Sequence, residues 1–245
     1  MTVPLNRALS KLGILSRAQA TDAITAGRVR VNGRVVRNPL APVVPERVAV
    51  RVDEEPVKAA SWRAILLNKP RGVVTTRRDP DGRRTVFDVL GDAGRGLVAA
   101  GRLDLASTGL LLLTTDNRLA DWITDPANAV PRVYAVTVRG RVTGDDMEVL
   151  AGGVRDRGEL LRAHAVHLRK ASARESHLIV ELRQGKNREV RRVFAAIDRE
   201  VTKLKRIAFG GLNLGALAPG EWREISREEI QAAFPTYNRR AEGVP

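Results

Sequence analysis

Residues 109–113 read Gly-Leu-Leu-Leu-Leu, an uninterrupted apolar run flanked by Thr108 and Thr114. A run of this length is far short of the roughly 20 residues of a membrane span. It reads instead as a strand buried within a sheet. Further strand candidates are 64–67, 133–138, 177–182 and 222–225. Helical patterns separate them. One starts at Asn187 and places Val190, Val193, Phe194 and Ile197 on one face; another starts at Ser226, with Glu229 completing a Ser-x-x-Glu capping box. The order is mixed rather than strictly alternating, which favours an α+β domain over a doubly wound sheet.

Ahead of this domain stands a compact helix-helix-strand-strand unit. Leu5, Ala8, Leu9 and Leu12 share one face of a short helix that Gly13 can end. Ser16 and Gln19 have the spacing of a capping box, opening a second helix with Ala20, Ala23 and Ile24 on its apolar side; Gly27 stops it. Residues 28–36 then form a hairpin in which Asn32-Gly33 supplies the two positive φ angles of a type I′ turn. Residues 51–60 are polar, contain Pro56 and lack a period, so they are expected to be a linker. The expected division is 1–50, linker 51–60, a main domain 61–240 and a tail 241–245.

Charge narrows the partner. The chain holds 42 Lys and Arg against 28 Asp and Glu, a net charge of +14. The surplus is clustered: residues 1–50 carry eight basic residues against two acids, and residues 183–206 carry nine against three. Such fields attract polyanions, and nucleic acid is the expected partner rather than a membrane. No cysteine is present, so disulfides, thiolate chemistry and Cys-based zinc sites are excluded and a cytoplasmic location is expected. His164 and His167 lie three apart with little acidic support and read as surface or strand residues, so no metal is expected. The chemistry is left to carboxylates, arginines, lysines and phenols.

The first segment resembles the S4 RNA-binding module. The resemblance rests on residues 9–17, Leu-x-x-Leu-Gly-Ile-Leu-Ser-Arg, on the turn Ala-Gly-Arg-Val-Arg-Val-Asn-Gly at 26–33, and on the Val-Val that follows. It implies binding of structured RNA, with Arg7, Lys11, Arg17, Arg28 and Arg30 as phosphate contacts.

Gly101-Arg102-Leu103-Asp104 precedes the buried run and sets a carboxylate on a loop leading into a strand. From the residues alone, Asp104 is either a turn cap paired with Arg102 or a functional acid carried by a rigid scaffold. Together with Thr-Gly-Leu-Leu-Leu-Leu-Thr-x-Asp (108–116), the stretch resembles the signature of pseudouridine synthases that modify ribosomal RNA, in the branch carrying an N-terminal S4 module. Leu67-Asn68-Lys69-Pro70-Arg71-Gly72-Val73, Arg132-Val133-Tyr134, residues 185–192 (Gly-Lys-Asn-Arg-Glu-Val-Arg-Arg) and Lys203-Leu204-Lys205-Arg206-Ile207 resemble further motifs of that family in the same order. Two departures stand out. Ala106 and Ser107 occupy positions commonly held by Asp or Asn and then Thr, and Arg132 replaces a lysine.

The resemblance implies a mainly antiparallel mixed sheet and isomerisation of uridine without a cofactor. The bond from C1′ to N1 breaks, the uracil turns while bound, and C5 joins C1′. The base must be unstacked, an ionised carboxylate must face the sugar, and a cation must keep that carboxylate charged and oriented. By resemblance Asp104 is the carboxylate, Arg191 its ion-pair partner and Tyr134 the ring against the uracil. Arg102, Leu103, Lys69, Arg71, Arg188, Arg192 and Leu204 are the expected substrate contacts. Arg188, Arg191 and Arg192 lie at i, i+3 and i+4 and are expected on one side of their helix, which makes Arg192 the reserve partner. The motif at 187–192 points to large-subunit RNA, with the small subunit, or a non-catalytic S4-type RNA-binding protein, as alternatives. A methyltransferase would need a Gly-x-Gly-x-x-Gly loop opening a βαβ unit, and Gly91–Gly96 does not supply one. No apolar helical face is left over, so a monomer is expected.

Overall fold

The computed structural model describes residues 2–11, 15, 17–44, 47–56 and 61–237. The chain forms two compact units, one of residues 1–63 with 96–98 and 114–117, the other of the remainder. In the first, helices α1 (Leu5–Lys11) and α2 (Arg17–Thr25) bury Leu5, Ala8 and Leu9 together with Ala20, Ala23 and Ile24. Each of the larger of these side chains contributes about 1.5–3 kcal/mol on leaving water. Strands β1 (Val29–Val31) and β2 (Arg34–Val35) make the expected hairpin, and Asn32 and Gly33 take φ values of 48° and 81°. Leu12, Gly13 and Ser16, with the cap and capping box assigned to them, lie outside the described residues.

The expected linker is corrected. Strand β3 (Val50–Val52) pairs antiparallel with β1, and β4 (Glu55–Pro56) pairs with β3, giving the order β2-β1-β3-β4. Residues 51–56 are therefore sheet, joined by Asp53 and Glu54 at φ 53° and 63°. Strands of two or three residues are too short to show alternation, and an Asp-Glu turn lacks the glycine that normally announces a positive φ. Residues 57–60 and the tail lie outside the described residues.

The second unit is built on a nine-stranded sheet. Its main strands in chain order are β5 (Ala64–Lys69), β6 (Thr108–Thr114), β7 (Arg132–Arg139), β10 (Ala165–Ala171), β11 (Glu175–Leu182), β12 (Val201–Phe209) and β13 (Trp222–Ile225); β8 (Val154–Asp156) and β9 (Glu159–Leu161) form a separate hairpin. The sheet order is β10-β11-β7-β12-β6-β5-β13. Pairs β10/β11, β11/β7, β7/β12 and β5/β13 are antiparallel, and β12/β6 is parallel. The fold is α+β with a mixed, mainly antiparallel sheet.

Strand β5 is buried at every position and β6 at all but Thr108, as an uninterrupted apolar run requires. Helix α3 (Val86–Leu90) continues into a 3-10 turn at Gly91–Gly94. Helix α4 (Asn117–Thr124) buries Leu119, Ala120 and Ile123. Helix α5 (Gly144–Gly152) opens on a Thr143 capping box. Helix α6 (Glu189–Ala195) buries Val190, Val193 and Phe194; it starts after Arg188, whose φ of 48° is not helical, and Ile197 falls beyond its end. Ser226 caps α7 (Arg227–Ala233) by accepting from the Glu229 N–H, as its spacing predicted. At Gly109 (φ +102°) a Cβ would lie 2.2 Å from the Arg206 carbonyl oxygen. The parallel strands close to this distance only because that residue is glycine.

Candidate active site

The loop 101–107 carries Asp104 between the end of the short strand Val98–Ala99 and the start of β6. Its main chain is held from several sides. Ser107 N–H donates to the Asp104 carbonyl at 3.0 Å, and Gly72 N–H to the Leu105 carbonyl at 2.9 Å. Thr75 Oγ1 donates to the Leu103 carbonyl at 3.0 Å and accepts from its N–H at 3.3 Å. Beneath the loop lies Lys69, the last residue of β5. Its Nζ donates to the carbonyls of Ser107 at 2.8 Å, Asp104 at 3.1 Å and Pro70 at 3.1 Å. An ammonium has three protons, and all three are spent on main chain.

Lys69 was expected to touch RNA. It is instead wholly buried. Burial pulls its pKa down to about 8, against the opposing attraction of Asp104. Arg71, two residues on, is exposed. Ser107 is buried, and its hydroxyl has no partner among the described residues.

The Asp104 carboxylate is about one-third exposed and faces two guanidinium groups. Arg191 Nε stands 3.9 Å from Oδ2, and Arg188 Nη1 4.0 Å. Arg191 is anchored by a 2.7 Å bond from Nη1 to the Val201 carbonyl. Burial lowers its pKa first; the charge on Arg188 and then Arg71 acts the same way, while Asp104 opposes them. Two cations thus oppose one carboxylate, with the charge of Arg71 also reaching Arg191, and leave a net positive mouth suited to a phosphate-bearing substrate.

Arg192 does not join them. It is clasped by Asp156 and Glu159 at the tip of the β8–β9 hairpin, and its Nη2 donates to the Asp156 carbonyl at 3.1 Å. The expectation that Arg188, Arg191 and Arg192 share one side of a helix is corrected for two reasons. Arg188 precedes the helix in a left-handed conformation, and Arg192 has nearer acids of its own.

Behind Asp104 opens a cavity of about 520 Å³, within the range of small-molecule sites. Tyr134 and Leu204 line it from the adjacent strands β7 and β12, and both are largely buried. Leu103 is buried in its wall, and Arg102 is exposed at its rim. Arg132 and Arg206 also line the cavity and were not among the expected contacts. Arg132 donates to the carbonyls of Val130, Ile123 and Arg183 at 3.1, 3.2 and 3.4 Å, holding the start of the loop that presents Arg188. The signal for Arg132 was available: it sits two residues from Tyr134 on a strand, hence on the same face.

In the first unit Arg7 and Arg17 are exposed, and the side chain of Lys11 lies outside the described residues. Arg28 pairs with Asp53 at 2.9 Å and Arg30 with Glu54 at 2.7 Å, so two expected phosphate contacts are already occupied by acids. His164 lies 3.9 Å from Glu181, His177 lies 3.0 Å from Glu175, and His167 is in β10.

The RNA pseudouridylate synthase family matches residues 63–196 of this chain, and the S4 domain matches residues 3–47. The chain belongs to the RNA pseudouridylate synthase family. It is 36% identical over 235 residues to an uncharacterized RNA pseudouridine synthase of Aquifex aeolicus (strain VF5), covering 96% of this chain and 94% of that one. It is 33% identical over 229 residues to the ribosomal large subunit pseudouridine synthase B of Bacillus subtilis (strain 168), covering 93% of each. A crystal structure of a pseudouridylate synthase superposes with a TM-score of 0.66 at 28% identity, covering 94% of this chain and 98% of that one. The synthase is thus an isomerase that acts on RNA, and its S4 domain is an RNA-binding one.

Proposed function

We propose that this synthase converts uridine to pseudouridine in ribosomal RNA of the large subunit, with Asp104 as the catalytic carboxylate. The observation that carries the reading is the placement of Asp104. It lines the cavity, its main chain fixed from below and its carboxylate opposed by Arg191 and Arg188. The choice of large-subunit RNA is supported by relatives named for that activity, at 33–39% identity.

In this reading the target uridine leaves its stack and enters the cavity with its ribose toward Asp104. The carboxylate either attacks C1′ or takes a ribose proton, and the bond to N1 breaks. Arg191 orients the carboxylate. Arg188, Arg71 and Arg102 meet the flanking phosphates. Tyr134 presents its ring and Leu204 its apolar side chain to the uracil while it turns and rejoins through C5. The steps assigned use side chains alone. The S4 domain adds affinity for structured RNA, and the reaction belongs in the cytoplasm where ribosomal RNA is made. A single copy of the chain carries every group named.

The test is tritium release from ribosomal RNA labelled at uridine C5. Asp104→Asn is expected to abolish release while RNA affinity stays within a few-fold; retained turnover refutes the assignment. Mapping pseudouridines in ribosomal RNA from cells lacking the protein decides the subunit.

A further inference from the structure

Two arginines are buried behind the cavity, apart from the cations at Asp104. The carbonyls it holds account for Arg132. They do not account for Arg206, which is 2% exposed. Its Nε donates to the Leu110 carbonyl at 2.7 Å, and its Cζ lies 4.5 Å from the centre of the Phe209 ring. Nη2 is buried with no acceptor. Among the described residues no carboxylate pairs with it; Tyr134 is its neighbour across the strands, lines the same cavity and is the group its charge is coupled to. A buried guanidinium without a counter-ion is costly to keep, so a charge that appears only during the reaction is a natural complement.

The sheet aims Arg206 at Tyr134 by a specific device. Arg132 pairs with Phe209 and Val133 with Ala208, but Tyr134 pairs with Arg206, so Ile207 is an extra residue on β12. Such a bulge re-aims side chains. Without it Arg206 would oppose Ala135 and leave the other face of the sheet.

We propose that Arg206 is a positioning residue for the isomerisation: it fixes the Tyr134 phenol over the uracil and stabilises the negative charge its oxygen takes while moving the C5 proton. The proposal rests on the reading that Tyr134 meets the target base. Once C5 is joined to C1′, C5 still carries its hydrogen and N1 is doubly bonded to C6. Both atoms flank C6, so one oxygen over that edge can serve both. The phenol gives its proton to N1 as the C6–N1 π pair localises there. The phenolate oxygen then takes the C5 proton, the C5–H electron pair becomes the C5–C6 double bond, and Tyr134 is restored. Besides Arg206 on β12, the charged groups lining the cavity with this phenol are Arg132 on β7, Arg102 and Asp104 on their loop, Lys186 and Arg188 ahead of α6, and Glu189 on α6; of these Arg132 is coupled to Tyr134 directly.

Steady-state rates of the full chain on ribosomal RNA containing uridine, C5-deuterated uridine or 5-fluorouridine test this. Fluorine at C5 leaves bond exchange possible and removes only the final proton transfer. Arg206→Gln is expected to lower kcat on uridine at least about ten-fold. KM should stay within a few-fold, a primary isotope effect should appear with deuterium, and 5-fluorouridine should be rearranged at the wild-type rate. Arg206→Lys should restore most of the loss, and Arg206→Gln should add nothing in a Tyr134→Phe background. Equal slowing on 5-fluorouridine, or an undiminished loss without the phenol, overturns the proposal. If Arg206→Gln fails to fold by circular dichroism, the same contrast between substrates is read from Arg206→Met, which removes the charge and leaves no buried polar group behind. Wild-type turnover by Tyr134→Phe with no isotope effect refutes the role of Tyr134 itself.

Discussion

Lys69 Nζ donates to the carbonyl of Asp104, so the residue whose carboxylate opens onto the cavity is gripped through its own main chain by a buried cation. The same ammonium spans to Ser107 at the other end of the loop. A positive charge behind the loop and two in front of the carboxylate fix the acid from opposite directions.

This grip gives Lys69 a distinctive pH signature. Its folded pKa of about 8 lies below the ordinary 10.5, so on raising the pH the folded protein releases this proton before the unfolded chain does. The contribution of this group to stability therefore rises between those values. The loop, however, loses one of its three donors as Lys69 becomes neutral. We predict that kcat falls several-fold above pH 8 while urea midpoints, corrected for other groups with Lys69→Met, move the other way. Lys69→Met should lose roughly 100-fold in kcat through a displaced carboxylate and lack the limb near pH 8. A rate flat from neutrality into the alkaline range refutes this.

Arg191 and Arg192 are neighbours with separate assignments. Arg191→Gln is expected to lower kcat by about 100-fold or more with little change in fold. Arg192→Gln should leave kcat within a few-fold and instead free the β8–β9 hairpin, seen as faster proteolysis near Arg157 and faster amide exchange at Asp156 and Glu159. Equal kinetic losses from the two substitutions would return Arg192 to the site.

Acids mask part of the basic surface of the S4 domain. Replacing Asp53 and Glu54 by Asn and Gln should release Arg28 and Arg30 for phosphate. RNA affinity should then rise, and its logarithm should fall more steeply with log salt, by about one unit of slope for each arginine gained. Arg7→Ala and Arg17→Ala should shallow the slope. If freeing Arg28 and Arg30 leaves the slope unchanged, that face does not meet RNA.

Gly109 admits no side chain. A methyl group there would collide with the Arg206 carbonyl at a φ that L residues rarely adopt. Gly109→Ala should cost more than about 2 kcal/mol in urea unfolding. Because the clash lies between the loop of Asp104 and Arg206, kcat should fall with it. Wild-type stability would mean that β6 and β12 can separate at no cost.

Local signals in the sequence were followed closely. The Asn32-Gly33 hairpin, the Ser226 cap and the strands at 64–69, 108–114 and 222–225 each depend on residues close together in the chain. What escaped the sequence depends on distance. Lysine is among the residues least often buried, so Lys69 beside Pro70 reads as exposed until the carbonyls of residues 104 and 107 close over it. Arg192 finds its acids 36 and 33 positions earlier. The bulge at Ile207 arises only when β12 is aligned against β7, and no single-strand pattern announces it.

The order of strands has a consequence for how the enzyme comes into being. β5, the first strand of the second unit, pairs with β13, the last, and the loop of Asp104 precedes a strand whose parallel neighbour lies about a hundred residues downstream. Contacts of such long sequence separation form slowly and late. On the ribosome, the N-terminal S4 domain can fold first. The chain acquires its means of holding RNA well before its means of changing it, and a nascent or truncated copy would be a binder without being an enzyme.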